Sequence, residues 1–192
     1  MKKKIVFAIL VSVFTFVTAC NSTKKQSVDS AKPSKSELKS AIKIMEDSLM
    51  NMQNDPQKIT QITNLMHQEL INRLLAYYTT YPTDAYSETC LEKVHMKYTG
   101  LNIQEKAIQY GDTLLMRFPN AKNKALILES LGSAYDIMVE PRDTSKVRFY
   151  YEQILSLKDV KPSKKKEIQF RLKHLALTFD QLIDFQLKQV SL

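Results

Sequence analysis

Prolines divide this chain into helix-length pieces. Pro56, Pro82, Pro119, Pro141 and Pro162 each fall between stretches in which apolar residues recur every three or four positions. Proline lacks a backbone N–H and its ring collides with the preceding turn, so each one ends a helix and permits another. The chain has only three glycines. Glycine-dependent β turns and phosphate-cradling loops are therefore disfavoured. Leu, Lys, Gln, Ile, Met and Ala are abundant and favour helix. No stretch alternates strictly as a half-buried strand would. The expectation is an all-α fold of antiparallel helical hairpins, about seven helices plus a short C-terminal one, over residues 36–192.

Local signals place the pieces. Ser34-Lys35-Ser36-Glu37 has capping-box spacing. Leu38, Ala41, Ile42, Met45, Leu49 and Met52 then share one face. Asp55-Pro56 predicts a stop and an immediate restart, with a helix running on to about Thr80. That helix carries Ile59, Ile62 and Met66 on one side and Leu65, Ile71, Leu75 and Tyr78 on another, as a sandwiched helix should. Thr83 or Asp84 caps the next, which presents Leu91, Val94, His95 and Tyr98 and stops at Gly100. Asn102-Ile103-Gln104-Glu105 repeats the capping-box spacing ahead of Ala107, Tyr110, Leu114 and Phe118. Two further stripes follow, Leu128-Leu131-Gly132-Tyr135 and Val147-Tyr150-Tyr151-Ile154-Leu157, separated by a turn at Pro141-Arg142-Asp143. After Pro162 come Ile168, Leu172, Leu175 and Ala176. Thr178 to Gln181 has capping-box spacing again, before Leu182, Ile183 and Phe185.

The breaks at Tyr81-Pro82, Phe118-Pro119 and Pro162 recur at a period in the thirties to low forties, which points to a helical solenoid. Leu128, Leu131, Gly132 and Tyr135 resemble the first helix of the tetratricopeptide repeat (TPR). Lys106-Ala107-Ile108 with Phe118-Pro119-Asn120, and again Val147, Tyr151 and Ile154, resemble its second. The resemblance covers roughly residues 83–176, with 36–80 as a degenerate leading hairpin. His95 stands where the repeat has a small residue, Gly111 where it has an aromatic, and the loop after Tyr135 is about three residues longer. A non-repeating helical bundle is the alternative.

The amino-terminal end predicts an address. Lys2, Lys3 and Lys4 precede the apolar run Ile5 to Val17, and Ala19-Cys20 follows. This order resembles the lipobox of bacterial lipoproteins. The resemblance implies a signal peptide over 1–19 and a lipid (diacylglycerol with palmitate-type acyl chains) on Cys20. A tether over 20–35 would follow, its Lys24, Lys25, Lys32 and Lys35 favouring an anionic bilayer. An uncleaved membrane helix is one rival, although the run is shorter than the roughly 20 residues a span needs, and an ordinary signal that ends near a cysteine is the other. Lipobox, tether and repeats together resemble TPR lipoproteins of Bacteroidota type, and more distantly the lipoprotein that assists outer-membrane β-barrel assembly. They imply a cell-envelope protein. By the same resemblance, Asn21-Ser22 lacks the acidic residue that retains some lipoproteins in the inner membrane, and lysines stand in place of an acidic export run. Both imply the periplasmic face of the outer membrane. The formal charge of +8 includes the three leader lysines, so a chain cut before Cys20 carries +5. Export makes nucleic acid an unexpected partner.

Chemistry is sparse in the sequence. The three histidines, His67, His95 and His174, lack zinc-site spacing, and the chain has no Cys-x-x-Cys. Cys90 and His95 lie five residues apart on one helix and point apart, so no nucleophile pair is expected. With Cys20 acylated, Cys90 has no disulfide partner. No metal, no cofactor beyond the lipid on Cys20 and no catalytic residue are expected. The candidate partner-binding residues are Tyr78 and Tyr150, because tyrosine is enriched at interfaces, and Lys164, Lys165, Lys166 and Arg171 in the densest basic run. The expected function is a lipid-anchored periplasmic scaffold for an unidentified protein or peptide, with a part in outer-membrane or envelope assembly as the distant resemblance implies. The alternatives are a nutrient- or ligand-binding lipoprotein or an enzyme accessory subunit.

Overall fold

The computed structural model describes residues 32–190. The predicted leader, Cys20 and all but the last residues of the predicted tether lie outside the described residues. Among those described the fold is all-α, with eight α-helices and no strand: α1 Lys35–Gln53, α2 Asn64–Thr80, α3 Ala85–Gly100, α4 Gln104–Arg117, α5 Lys124–Ser133, α6 Thr144–Ser156, α7 Pro162–Lys173 and α8 Phe179–Val190. A 3₁₀ turn, Ile59–Gln61, lies between α1 and α2, and a π-helical turn, Ala134–Met138, extends α5. Helices from α1 to α7 pack chiefly on their sequence neighbours.

Caps set several of the boundaries. At Ser34 the capping box is complete: its hydroxyl accepts from the Glu37 N–H, and the Glu37 carboxylate accepts from the Ser34 N–H. Thr178 and Gln181 make the same reciprocal pair before α8. Asp84 caps α3, Asp143 caps α6, and Pro162 opens α7.

Three expectations are corrected. The helix predicted to restart at Pro56 begins at Asn64, capped by Thr63. Asp55 turns its carboxylate onto the Gln57 N–H instead, closing an Asx turn. Leu65, placed on an apolar face by periodicity, is 77% exposed, and the buried stripe of α2 is Leu70, Ile71, Leu74 and Tyr77. The spacing at Asn102 predicts a cap for α4, but α3 ends at Gly100 as expected and Asn102 is the residue that closes it. Asn102 adopts φ 57°, and Ile103 N–H bonds Tyr98 O while Asn102 N–H bonds Thr99 O. This is the Schellman pattern with asparagine in the left-handed position. Asn102 is therefore spent ending α3, and α4 starts with no side-chain cap.

Two cores run along the described residues. One joins α1 to α4 through Ile42, Leu70, Leu74, Cys90, Val94 and Ala107. The other joins α3 to α7 through Leu91, Leu114, Leu128, Leu131, Val147 and Ile168. The hairpins α3–α4 and α5–α6 are built alike. Tyr98 stacks on Tyr110 (centroids 5.6 Å, interplanar angle 6°), and Tyr135 stacks on Tyr150 (5.8 Å, 13°). The hairpins differ in where bulk sits. In α5–α6 the small residue is Gly132, and the ring of Tyr151 lies over it. In α3–α4 the large residue is His95, and Gly111 makes room for it.

Candidate functional site

The predicted partner residues do not assemble into one surface. Tyr150 is 2% exposed, and its hydroxyl donates to Asp112 Oδ1 at 2.7 Å. It is a core ring, and burial pushes its hydroxyl pKa well up. Tyr78 is half-buried against the second core. Its neighbour Tyr77 is fully buried and donates to Asp84 Oδ1 at 2.8 Å. The basic run divides in the same way. Arg171 is buried and bound to Asp136. Lys164 reaches Glu129 and Glu167 at 2.9 Å, which raises its pKa. Lys165 donates to the Leu155 carbonyl, and Lys166 is exposed. Arg171 and Tyr150 thus leave the candidate surface, because helical packing turns both inward.

His95 and Cys90 are structural in the same sense. The His95 Nδ1 lies 2.8 Å from Ala107 O, and its Nε2 lies 3.0 Å from Ser130 Oγ. A carbonyl only accepts, so Nδ1 carries the proton and Nε2 accepts from the serine hydroxyl. The ring bridges α3, α4 and α5 as a neutral imidazole, and burial lowers its pKa. Cys90 is fully buried and free, and burial pushes its thiol up to about 12. Among the described residues no group of His, Cys, Asp and Glu could hold a metal ion.

The most developed polar cluster centres on Asp136, which sequence reasoning missed. The π-helical turn closes with Val139 N–H on Ala134 O at 3.0 Å. Its extra residue per turn leaves Asp136 facing inward. Both carboxylate oxygens take Arg171, through Nε and a terminal nitrogen at 2.6 Å each. Arg142 adds its Nε at 2.8 Å. Three further guanidinium hydrogens go to the carbonyls of His174, Leu175 and Leu177. One carboxylate and two guanidiniums thus tie the end of α5, the entry to α6 and the end of α7. The only sequence signal was Arg142 in a turn and Arg171 among lysines, neither of which names a partner.

Asp136 and Arg171 line a pocket of about 210 Å³. Ile137, Phe170, Phe179 and Leu182 form its apolar wall, with Glu129 and Glu167 also in its lining. Helix α8 closes one side, held in part by His174, whose ring sits between Phe170 (4.6 Å) and Phe185 (5.1 Å). The pocket offers apolar surface beside carboxylates. Its arginines are already committed to Asp136 and backbone.

No helix among the described residues is long and apolar enough to cross a membrane. No family model, curated protein or solved structure matches this chain.

Proposed function

We propose that this chain is a lipid-anchored, TPR-like helical scaffold of the cell envelope, not an enzyme, and that it holds a protein or peptide partner at the membrane. One observation carries the reading: the side chains able to do chemistry are used to lock successive hairpins together. His95 spans three helices, Cys90 packs as a small apolar group, and Arg171 and Asp136 neutralise each other. The equivalent tyrosine stacks of α3–α4 and α5–α6 support a repeated hairpin, and stacked hairpins leave an extended face for an extended or helical segment. The lipobox-like order ending at Cys20 supports a lipid anchor, and Asn21-Ser22 followed by lysines supports the periplasmic face of the outer membrane.

The test is crosslinking and affinity capture of the protein from its own membrane, with the mass of the amino-terminal peptide read alongside. The reading expects a diacylated Cys20 and one reproducible protein partner. An unmodified Cys20, or repeated recovery of no partner, counts against it.

The Asp136 pocket favours a second reading, a small-ligand-binding lipoprotein or enzyme accessory subunit. A small molecule co-purifying with the protein and lost in Phe179→Ala, with protein capture unchanged, would support that reading over the scaffold.

A further inference from the structure

The described chain emerges on one particular edge of the helical stack, and that edge is lined with lysine. Lys32 lies over the Tyr81 ring at 4.3 Å, Tyr81 donates to Pro33 O, and Lys35 pairs with Asp84. These contacts pin the start of the domain to the α2–α3 turn. The next turn on the same edge joins α4 to α5. Lys122 N–H donates to Glu88 in the first turn of α3, and Asn123 donates to Glu92. The α4–α5 turn in turn shares a cleft of about 370 Å³ with the α6–α7 turn, lined by Pro119, Lys122, Lys124, Leu157, Lys158 and Val160. The three turns therefore form one continuous border.

Its charge is net basic: six lysines, Lys32, Lys35, Lys122, Lys124, Lys158 and Lys161, stand against four acids, Asp84, Glu88, Glu92 and Asp159. Lys122, Lys158 and Lys161 are exposed and form no ion pair among the described residues, and Lys124 reaches only the Pro119 carbonyl. Asp84 pairs with Lys35, while Glu88 and Glu92 keep their charge and sit half-buried, accepting from the neutral N–H groups of Lys122 and Asn123. Asp159 is exposed. On the opposite border Lys58 pairs with Asp55, and exposed Leu65 and Ile103 interrupt the polar surface.

We propose that this lysine edge, formed by the α2–α3, α4–α5 and α6–α7 turns, rests on the anionic headgroups of the membrane that holds the chain. The inference builds on the lipid anchor at Cys20. From Cys20 to Lys32 the chain advances twelve residues, which span at most about 42 Å even if fully extended. Lys32 itself lies on the edge, so these turns are where the domain joins the anchor segment, and the lysines decide which border settles on the lipid. Lysine ammonium groups near an anionic surface are attracted within about 8–10 Å at physiological salt. The opposite border, α1–α2, α3–α4 and α5–α6, would then face away from the lipid and be open to a partner.

The experiment places a photoreactive benzophenone residue at Lys122 or Lys158, and for comparison at Lys58 or Lys146. The full-length protein, purified from its membrane, is reconstituted into vesicles of phosphatidylcholine alone or mixed with phosphatidylglycerol, and lipid crosslinks are weighed. The edge positions should crosslink lipid at least about tenfold more than Lys58 or Lys146 in the anionic vesicles. The excess should fall with added salt and with Lys124→Glu plus Lys161→Glu. Equal crosslinking from both borders, or no response to charge reversal, overturns the proposal. The mass of Cys20 is read on the same sample. An unmodified Cys20 with edge-specific crosslinking sinks the lipoprotein reading and leaves the edge standing, whereas an acylated Cys20 without edge preference does the reverse.

Discussion

His95 occupies the volume that Gly111 leaves empty. A methyl group built on Gly111 would sit 3.0 Å from His95 Nδ1, 3.1 Å from its Cε1 and 2.9 Å from Leu131 Cδ2. The two residues compensate each other: in this hairpin the large member lies on α3 and the small member on α4. In the next hairpin the arrangement is the reverse, with Tyr151 of α6 over Gly132 of α5.

The three glycines should therefore respond to alanine in a fixed order. At Gly132 a methyl group would lie 2.3 Å from Tyr151 Cε1. The ring cannot yield that far, so Gly132→Ala should cost about 3 kcal/mol or more. At Gly111 the ring of His95 is held by two hydrogen bonds, and the helix gains from alanine offset part of the clash. A net cost of about 1 kcal/mol is expected there. At Gly100 nothing lies within 4 Å and φ is not positive. Gly100→Ala should stabilise by up to about 1 kcal/mol. Urea midpoints at constant slope check the order. A neutral Gly132→Ala would mean that the α5–α6 contact is looser than described.

Asp136 should be the most costly polar residue to remove. Asp136→Ala leaves two guanidiniums facing each other without their carboxylate, an expected loss of about 3–5 kcal/mol. Arg171→Lys should recover little of what Arg171→Ala loses, because an ammonium cannot serve both carboxylate oxygens and the His174 and Leu177 carbonyls. Lys164→Ala breaks a half-exposed pair with Glu129 and should cost less than about 1 kcal/mol. Thermal unfolding of the four variants ranks them. Comparable losses for Lys164→Ala and Asp136→Ala would contradict the burial difference.

The contrast between Arg171 and Lys164 also marks what was legible in the sequence. Signals that act within a few residues could be read directly: the boxes at Ser34 and Thr178, the cap at Asp84, the proline opening α7. The all-α class followed from the same local rules. Contacts between residues far apart left no trace. Arg171 meets Asp136 across 35 residues, and charge density alone grouped it with the lysines of an exposed run. The π-helical turn that brings Asp136 inward has no composition signal. The break before Asn64 was hidden for a different reason. Ile59, Ile62 and Met66 keep helical spacing through the 3₁₀ turn, so the apolar period continues where the helix does not. Tyr150 was misplaced because tyrosine serves interfaces and cores equally well, and only Asp112 opposite its hydroxyl decides between them.

Cys90 should be chemically silent in the folded protein. Its thiol is buried and its pKa raised to about 12, so almost no thiolate exists at pH 8. Iodoacetamide at pH 8 should leave Cys90 unmodified in buffer and alkylate it fully in concentrated urea. Peptide mass spectrometry reads the result at Cys90 independently of Cys20. Rapid labelling in buffer would mean that the core of α1 to α4 opens readily.

His95 should make the fold sensitive to mild acid. Its pKa is lowered in the folded state by burial, while the unfolded chain keeps a value near 6.5. The folded protein therefore binds fewer protons than the unfolded one as pH falls through that value. The stability that neutral His95 contributes is fully present above about pH 7 and is lost progressively below about pH 6.5. Protonation would also place an N–H on Nε2, which now accepts from Ser130, and so force the serine hydroxyl to turn. His67 is shifted the same way by partial burial and adds to the trend. Denaturation in urea at a series of pH values should thus give falling stability from pH 7 to pH 5. His95→Gln, which cannot take up a proton there, should have a shallower slope than the parent, with His67 accounting for part of the remainder. Identical slopes for parent and variant would show that His95 is not the buried neutral bridge between α3, α4 and α5.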